Sequence, residues 1–231
     1  MSTLHLVRHG QASFGSADYD RLSDLGELQV RHLSQHLQQS GQTVDAIYSG
    51  TLRRQRSTAE ILAAGASGAG GVRCTAAFDE YDAHTLLRMH AELTGASLAS
   101  LQGGLAPPDP RAFQRRLEEA GSAWVAGSLD GPGVEPWQDF RRRVAAGLED
   151  VMRSEGRSRQ VLICTSAGAI GAAVGHVLGL DDPGALRLSW SVLNASVTRI
   201  RYDGRRCSLE SFNAVPHLET QPEPRRLLTF R

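Results

Sequence analysis

The chain has 231 residues, and all 25 of its basic residues are arginines. The absence of lysine excludes Schiff-base chemistry and a Walker-type phosphate-binding lysine. Asp and Glu also total 25, so the formal net charge is zero and neither a nucleic-acid nor an anionic-membrane surface is expected as the main partner.

An apolar content of 41% with 22% charged residues is globular. The length suits a single domain, 1–231, carrying an inserted subdomain. Cys74, Cys164 and Cys207 are widely spaced and form no CxxC pair. Neither a disulfide framework nor a metal site is expected, and a cytoplasmic location fits. The opening MSTLHLVRHG lacks a signal-peptide layout.

Thr3 to His9 alternates and predicts a first strand, followed by a polar loop through Ser23. Leu25, Leu28, Leu33 and Leu37 carry helical spacing, which predicts a helix over Asp24–Gln39 capped by Ser23. Asp45–Ser49 predicts a short strand, Leu52–Ala64 a helix, AAGASGAGG (63–71) a flexible loop, and Val72–Phe78 a third strand. From 82 to about 155, helical periodicities are broken by GG, APPDP and DGPG, the pattern of a helical insertion.

Val161–Leu180 is nearly uncharged and about membrane-spanning in length, but its Gly and polar positions fit a buried strand running into a buried helix. The expected elements there are a strand over Gln160–Thr165 and a helix over Ala167–Leu178. Ser196–Tyr202 and Arg206–Phe212 predict two late strands around Asp203-Gly204. Strands alternating with helices predict a three-layer α/β fold, with a mainly parallel central sheet and helices on both faces.

Three clusters carry chemistry. Arg8-His9-Gly10 follows the first strand, and ligands of open α/β sheets gather at the carboxyl ends of strands. Arg53, Arg54 and Arg56 crowd the first turn of a helix, where cations oppose the helix dipole unless an anion sits among them. Asp79, Glu80 and Asp82 follow the third strand, and a carboxyl there could act as a general acid. Taken singly, each cluster also fits a plain alternative: a strand-end histidine bonded to a carbonyl, a solvated basic face, an acidic loop. Trp124, Trp137, Phe113 and Phe140 are expected to pack the insertion on the sheet. Arg141, Arg142 and Arg143 are expected to form a solvated face with one stem packed down, and His5, His32 and His36 to be structural or exposed.

Taken together, the chain resembles the histidine phosphatase superfamily, also called phosphoglycerate mutase-like. The resemblance rests on L-V-R-H-G at 6–10, on S-G-T-L-R-R-x-x-x-T-A at 49–59 and on the F-D-E ending at Glu80. Asn194-Ala195-Ser196-Val197-Thr198, Phe212-Asn213 and His217-Leu218 also look like the family. The resemblance implies phosphomonoester hydrolysis of a small phosphorylated substrate through a phosphohistidine at His9. It implies that Arg8 and Arg54 clamp the phosphate and that Glu80 is the general acid and then helps activate water. No cofactor or metal is implied, and oligomeric state is not readable.

The family's second histidine, in a segment like V-S-H-G-G, is replaced here by Ser166 within Cys164-Thr165-Ser166-Ala167-Gly168. A serine hydroxyl can still donate to phosphate, so Ser166 is a candidate phosphate ligand, with His84 as a possible helper four residues beyond Glu80. Loss of one such donor typically costs about 100- to 1,000-fold in rate. Two readings stay open: a phosphatase weakened by the replacement, and a phospho-ligand-binding protein with little or no turnover. A Ser166 esterase with Asp203 and His217 is a remote third. Phosphoglycerate mutase activity is not expected, because Gln11-Ala12-Ser13-Phe14-Gly15 and Glu80-Tyr81-Asp82-Ala83-His84 depart from the mutase pattern.

Overall fold

A computed structural model describes residues 1–13, 20–66, 68, 70–96, 110–203 and 206–230. Residues 14–19 of the first loop, Ser67 and Ala69, the GG and APPDP breaks through 109, and Gly204 of the late turn lie outside the described residues.

Among the described residues, six strands form one sheet in the order β3-β2-β4-β1-β5-β6. They are β1 (Ser2–Arg8), β2 (Ala46–Ser49), β3 (Arg73–Cys74), β4 (Gln160–Thr165), β5 (Val197–Tyr202) and β6 (Cys207–Ala214). The pairs β1–β4, β2–β4 and β2–β3 are parallel, while β1–β5 and β5–β6 are antiparallel. The sheet is therefore mainly parallel, as the alternation of strands and helices predicts.

Helices cover both faces. They are α1 (Asp24–Gln39), α2 (Arg53–Gly65), α3 (Ala83–Thr94), α4 (Pro110–Val125), α5 (Trp137–Glu155), α6 (Ala167–Leu178), α7 (Asp182–Ser191), α8 (Pro216–Glu219) and α9 (Pro224–Leu227). The period-two alternation of the central strands decides what each face buries. Leu4 and Leu6 of β1, with Val161 and Ile163 of β4, join a core shared with α3–α7. Val7, Leu162 and Cys164 point the other way, into a smaller core with Val30, Leu33 and Leu37 of α1 and Ala59 and Leu62 of α2.

Ser23 caps α1 as its sequence predicts, accepting a hydrogen bond from the Gly26 amide at 3.0 Å. The buried stripe differs from the expected one. Gly26, Val30, Leu33 and Leu37 face the core, while Leu28 lies on the opposite side, 43% exposed. The third strand is also shorter than predicted. Only Arg73 and Cys74 pair with β2, and Ala76–Phe78 turns into a 3-10 helix capped by the Thr75 hydroxyl. Helix α2 runs on to Gly65, into the stretch expected to be loop. The helix α7, which the sequence reading passed over, carries ordinary start signals: Asp181 accepts from the Gly184 amide, and a proline stands in the first turn.

Trp124, Trp137 and Phe140 do pack as an aromatic cluster, with Trp124 at ring distances of 4.8 Å from Tyr81 and 5.0 Å from Trp137. The arginine trio of α5 is not a simple solvated face. Only Arg142 is well exposed. Arg141 pairs with Asp182, and Arg143 forms a forked pair with Glu135 while donating to the carbonyls of Ala76, Ala77 and Asp79. Arg143 thus ties α5 to the segment that leads into Glu80.

Val161–Leu180 is a buried strand and helix as read, and no helix among the described residues is long and apolar enough to cross a membrane. The cysteines are free: Cys74 exposed, Cys164 buried and Cys207 half-buried.

Candidate active site

The sheet register levels the strand ends that matter. Arg8 lies opposite Thr165, and Ser49 opposite Cys164, so the residues just beyond β1, β2 and β4 emerge on one edge. Gly10 makes the first of these turns possible. A Cβ there would stand 2.3 Å from the Gly26 carbonyl oxygen, so only glycine lets the loop after His9 lie against α1.

His9 is 5% exposed and partnered at both ring nitrogens. Its Nδ1 is 2.7 Å from the Gly10 carbonyl, which can only accept, so that nitrogen carries the proton. Nε2 is then the lone-pair nitrogen, and it accepts from Arg54 Nε at 3.1 Å. Burial holds the His9 pKa well below the ordinary histidine value, and the Arg54 and Arg8 charges push in the same direction. The imidazole is therefore neutral at neutral pH, with Nε2 turned towards a cation.

The arginine–threonine spacing of the second motif has a structural cause. Arg54 and Thr58 are one helical turn apart on α2. The Thr58 hydroxyl donates to the Arg54 carbonyl at 2.8 Å and accepts from the Gly10 amide at 3.2 Å. It locks the helix that bears Arg54 to the loop that bears His9. The anion expected among these arginines is present within the chain. Asp20 pairs with Arg54 Nη1 at 2.6 Å and accepts from the Arg53 amide at 2.8 Å. Asp79 holds the turn just ahead of this helix, accepting from the Thr51 amide and hydroxyl.

Arg8 donates from Nη1 to the Val192 carbonyl and from Nη2 to the Phe230 carbonyl at 2.6 Å. The segment around Asn194 steadies the neighbouring backbone. Asn194 Nδ2 donates to the His9 carbonyl at 3.2 Å, and the Ala195 amide is shared between the Arg8 and His9 carbonyls. Ala195 adopts φ +56°, a left-handed conformation that costs a non-glycine residue about 1 kcal/mol or more.

Glu80 accepts from the Gly168 amide at 2.9 Å and from the Tyr81 amide at 3.2 Å. Burial nevertheless raises its pKa above the ordinary glutamate value, against the lowering effects of these bonds and of Arg54 and Arg8. Gly168 is required for this approach, since a Cβ there would lie 2.1 Å from Glu80 Oε1. Arg8, His9, Arg54, Glu80 and His84 all line one cavity of about 440 Å³.

The family model for the histidine phosphatase superfamily (branch 1) matches residues 4–215. The chain belongs to this superfamily. No curated protein sequence matches it. Among solved structures, a phosphoserine phosphatase mutant from Entamoeba histolytica in complex with phosphoserine aligns over 94% of this chain and 100% of its own, at 18% identity and TM-score 0.64. A mycobacterial glucosyl-3-phosphoglycerate phosphatase aligns over 92% and 99%, at 24% identity and TM-score 0.65. YhfR from Bacillus stearothermophilus aligns over 94% and 99%, at 18% identity and TM-score 0.67. These likenesses show a shared histidine phosphatase fold.

Within that fold, Ser166 is placed differently from the expectation of a phosphate ligand. It is 1% exposed and is not among the residues lining the cavity. Its Oγ accepts from Gln55 Nε2 at 2.8 Å, and Gln55 in turn donates to the Phe78 carbonyl. Ala167 and Gly168 form the wall instead. The remote esterase reading is contradicted on the same ground. Ser166 is bonded to Gln55, while both ring nitrogens of His217 lack a hydrogen-bond partner among the described residues. No group of histidine, cysteine or acidic residues suited to a metal occurs among the described residues. Sequence reasoning missed Asp20, Gln55, Val192 and Phe230. Asp20 sits in a polar loop with nothing local to mark it, and the others act through contacts remote in sequence.

Proposed function

We propose that the protein hydrolyses small phosphomonoesters through a phosphohistidine at His9. The observation that carries this reading is the His9 ring itself: neutral, proton fixed on Nδ1 by the Gly10 carbonyl, lone pair on Nε2 facing the cavity's arginines. As substrate enters, Arg54 turns its Nε–H from His9 to a phosphate oxygen, and Arg8 binds a second oxygen. Nε2 attacks phosphorus, the P–O ester bond breaks, and protonated Glu80 gives its proton to the departing alkoxide. Glu80, now a carboxylate, takes a proton from water as the water oxygen attacks phosphorus. The P–N bond breaks, inorganic phosphate leaves and neutral His9 returns. The forked arginines stabilise the charge on the transferring group in both steps.

Ser166 acts in this scheme through Gln55, holding α2 against the wall of the site, and His84 lies within the cavity as a helper. The single domain 1–231 carries residues 82–155 as a helical insertion, and α3 and α4 from it supply the cavity's outer wall. The second reading, a phospho-ligand-binding protein with little turnover, is favoured by one observation: the hydroxyl at 166, where the resemblance implies a histidine, is turned to Gln55.

Phosphate release from p-nitrophenyl phosphate by wild type and His9→Ala separates the two readings. Activity in wild type that falls to background in His9→Ala, together with an acid-labile phosphoenzyme, is the expected result. Equal rates in both proteins would sink the phosphohistidine route.

A further inference from the structure

The cavity that holds His9 is divided by chemistry. Its floor carries Arg8, Arg54 and Glu80 around the histidine. Its walls are mainly apolar, with Tyr81, Leu87, Phe113, Leu117, Trp190 and Phe230 from the segment after the 3-10 turn, α3, α4, α7 and the chain's last described residue, and with His84, Gln114 and Ser189 as polar members. Arg8 and Arg54 are the only arginines among the described lining residues, and both sit at the floor where the phosphate is proposed to bind. The other charged carboxyl on the wall is Asp82, which caps α3 by accepting from the Thr85 amide and hydroxyl.

A leaving group with its own carboxylate or second phosphate would meet a mainly apolar wall and a negative side chain, with no further arginine among the described lining residues to receive it. Burying such a charge unpaired is strongly unfavourable, whereas an aromatic or alkyl group gains from the same wall. The cavity, about 440 Å³, is large enough for more than phosphate, since sites for drug-sized ligands span roughly 300–1,000 Å³.

We propose that the preferred substrate is a phosphomonoester of an uncharged, largely apolar alcohol, aryl or alkyl, whose body lies between α3, α4 and α7. This rests on the phosphatase reading above and adds the substrate class. It sets the protein apart from structural neighbours whose bound ligands are phosphoserine or 3-phosphoglyceric acid.

Benzyl phosphate and hexyl phosphate should be compared with 3-phosphoglycerate and phosphoserine. All four are esters of primary alcohols, so intrinsic leaving-group reactivity does not decide the outcome. The expected kcat/KM ratio favours the apolar pair by about 30-fold or more, the scale on which apolar pockets discriminate. Leu117→Arg should reverse the order by adding a cation to the wall. Phe230→Ala, at a residue already 54% exposed and so tolerant of change, should reduce the preference several-fold.

Binding of benzylphosphonate and 3-phosphonopropionate, which cannot be hydrolysed, keeps the two claims apart. Tighter binding of benzylphosphonate without turnover of any ester would remove the activity and leave the pocket's preference standing. Turnover or binding that favours the carboxylated ligands would overturn the substrate class and leave the phosphatase reading intact.

Discussion

His9 and His217 are both buried, at 5% and 2% exposure, and the two regions around them differ in almost every other respect. His9 stands at a strand end with a carbonyl on one nitrogen and a guanidinium on the other. His217 lies under α1 with no hydrogen-bond partner on either nitrogen among the described residues, its ring 6.1 Å from that of His36. Burial lowers both pKa values. For His9 the added causes are two arginines facing the cavity, while for His217 they are His36 and His32. Burial alone therefore does not mark a reactive histidine. What distinguishes His9 is the pair of partners that fixes the tautomer and sets a cation on the unprotonated nitrogen.

The largest effect that sharpens this contrast is chemical. Removing the acid that completes the His9 region, by Glu80→Gln, should lower kcat by about 100-fold or more on alkyl phosphates, the usual scale of a lost general acid. Because the Glu80 pKa is raised, wild-type activity should fall as pH climbs through a value above the ordinary glutamate range, and that limb should vanish in the variant. A full-rate Glu80→Gln enzyme with an unchanged pH profile would remove Glu80 from the mechanism.

The next effect belongs to His217 and concerns stability. Its folded pKa is about 4, below the unfolded value near 6.5, so the unfolded chain binds the proton first as pH falls. Stability is complete above about 6.5 and is lost towards 4, by up to about 3 kcal/mol from this group. Urea midpoints between pH 7 and 4 should drop steeply in wild type and less steeply in His217→Leu. Equal slopes would show that His217 is not the titrating group. His5 and His9, whose pKa values are also lowered, contribute with the same sign and set the slope that remains.

The smallest effect tests the carboxylate that occupies Arg54. Asp20→Asn should change kcat/KM by about 2- to 5-fold, the range of a part-exposed ion pair. A fall would mean that Asp20 positions Arg54, and a rise that it competes with phosphate. A change beyond about 100-fold would give Asp20 a direct part in the chemistry.

The sequence showed these regions unequally. His9, Arg8, Arg54 and Glu80 were legible because each stands in a short segment whose local geometry, a strand end or a helix start, dictates its direction. The bounds of β4, α1 and α6 were legible because caps and apolar runs are local signals too. Val72–Phe78 reads as β-prone, yet only two residues pair with β2 as the sheet's edge before Thr75 caps a 3-10 turn. The place of Ser166 just after β4, where the resemblance implies a histidine, predicts that it faces phosphate. Its side chain is instead turned to Gln55, and position along a chain does not encode that rotamer. Arg143 looked like one of a solvated trio, and only the fold shows that it grips the carbonyls ahead of Glu80.

The hold on Arg8 carries a consequence for how the molecule is made. Its guanidinium is received by carbonyls 184 and 222 residues further along the chain. Contacts of such separation carry the full entropy of closing the loop between them, as do the pairings of β1 with β4 and β5, so they form late compared with the helices. During refolding the helical circular dichroism should recover before the anion pocket does. A phosphate-analogue probe would then report completion of the fold rather than its beginning.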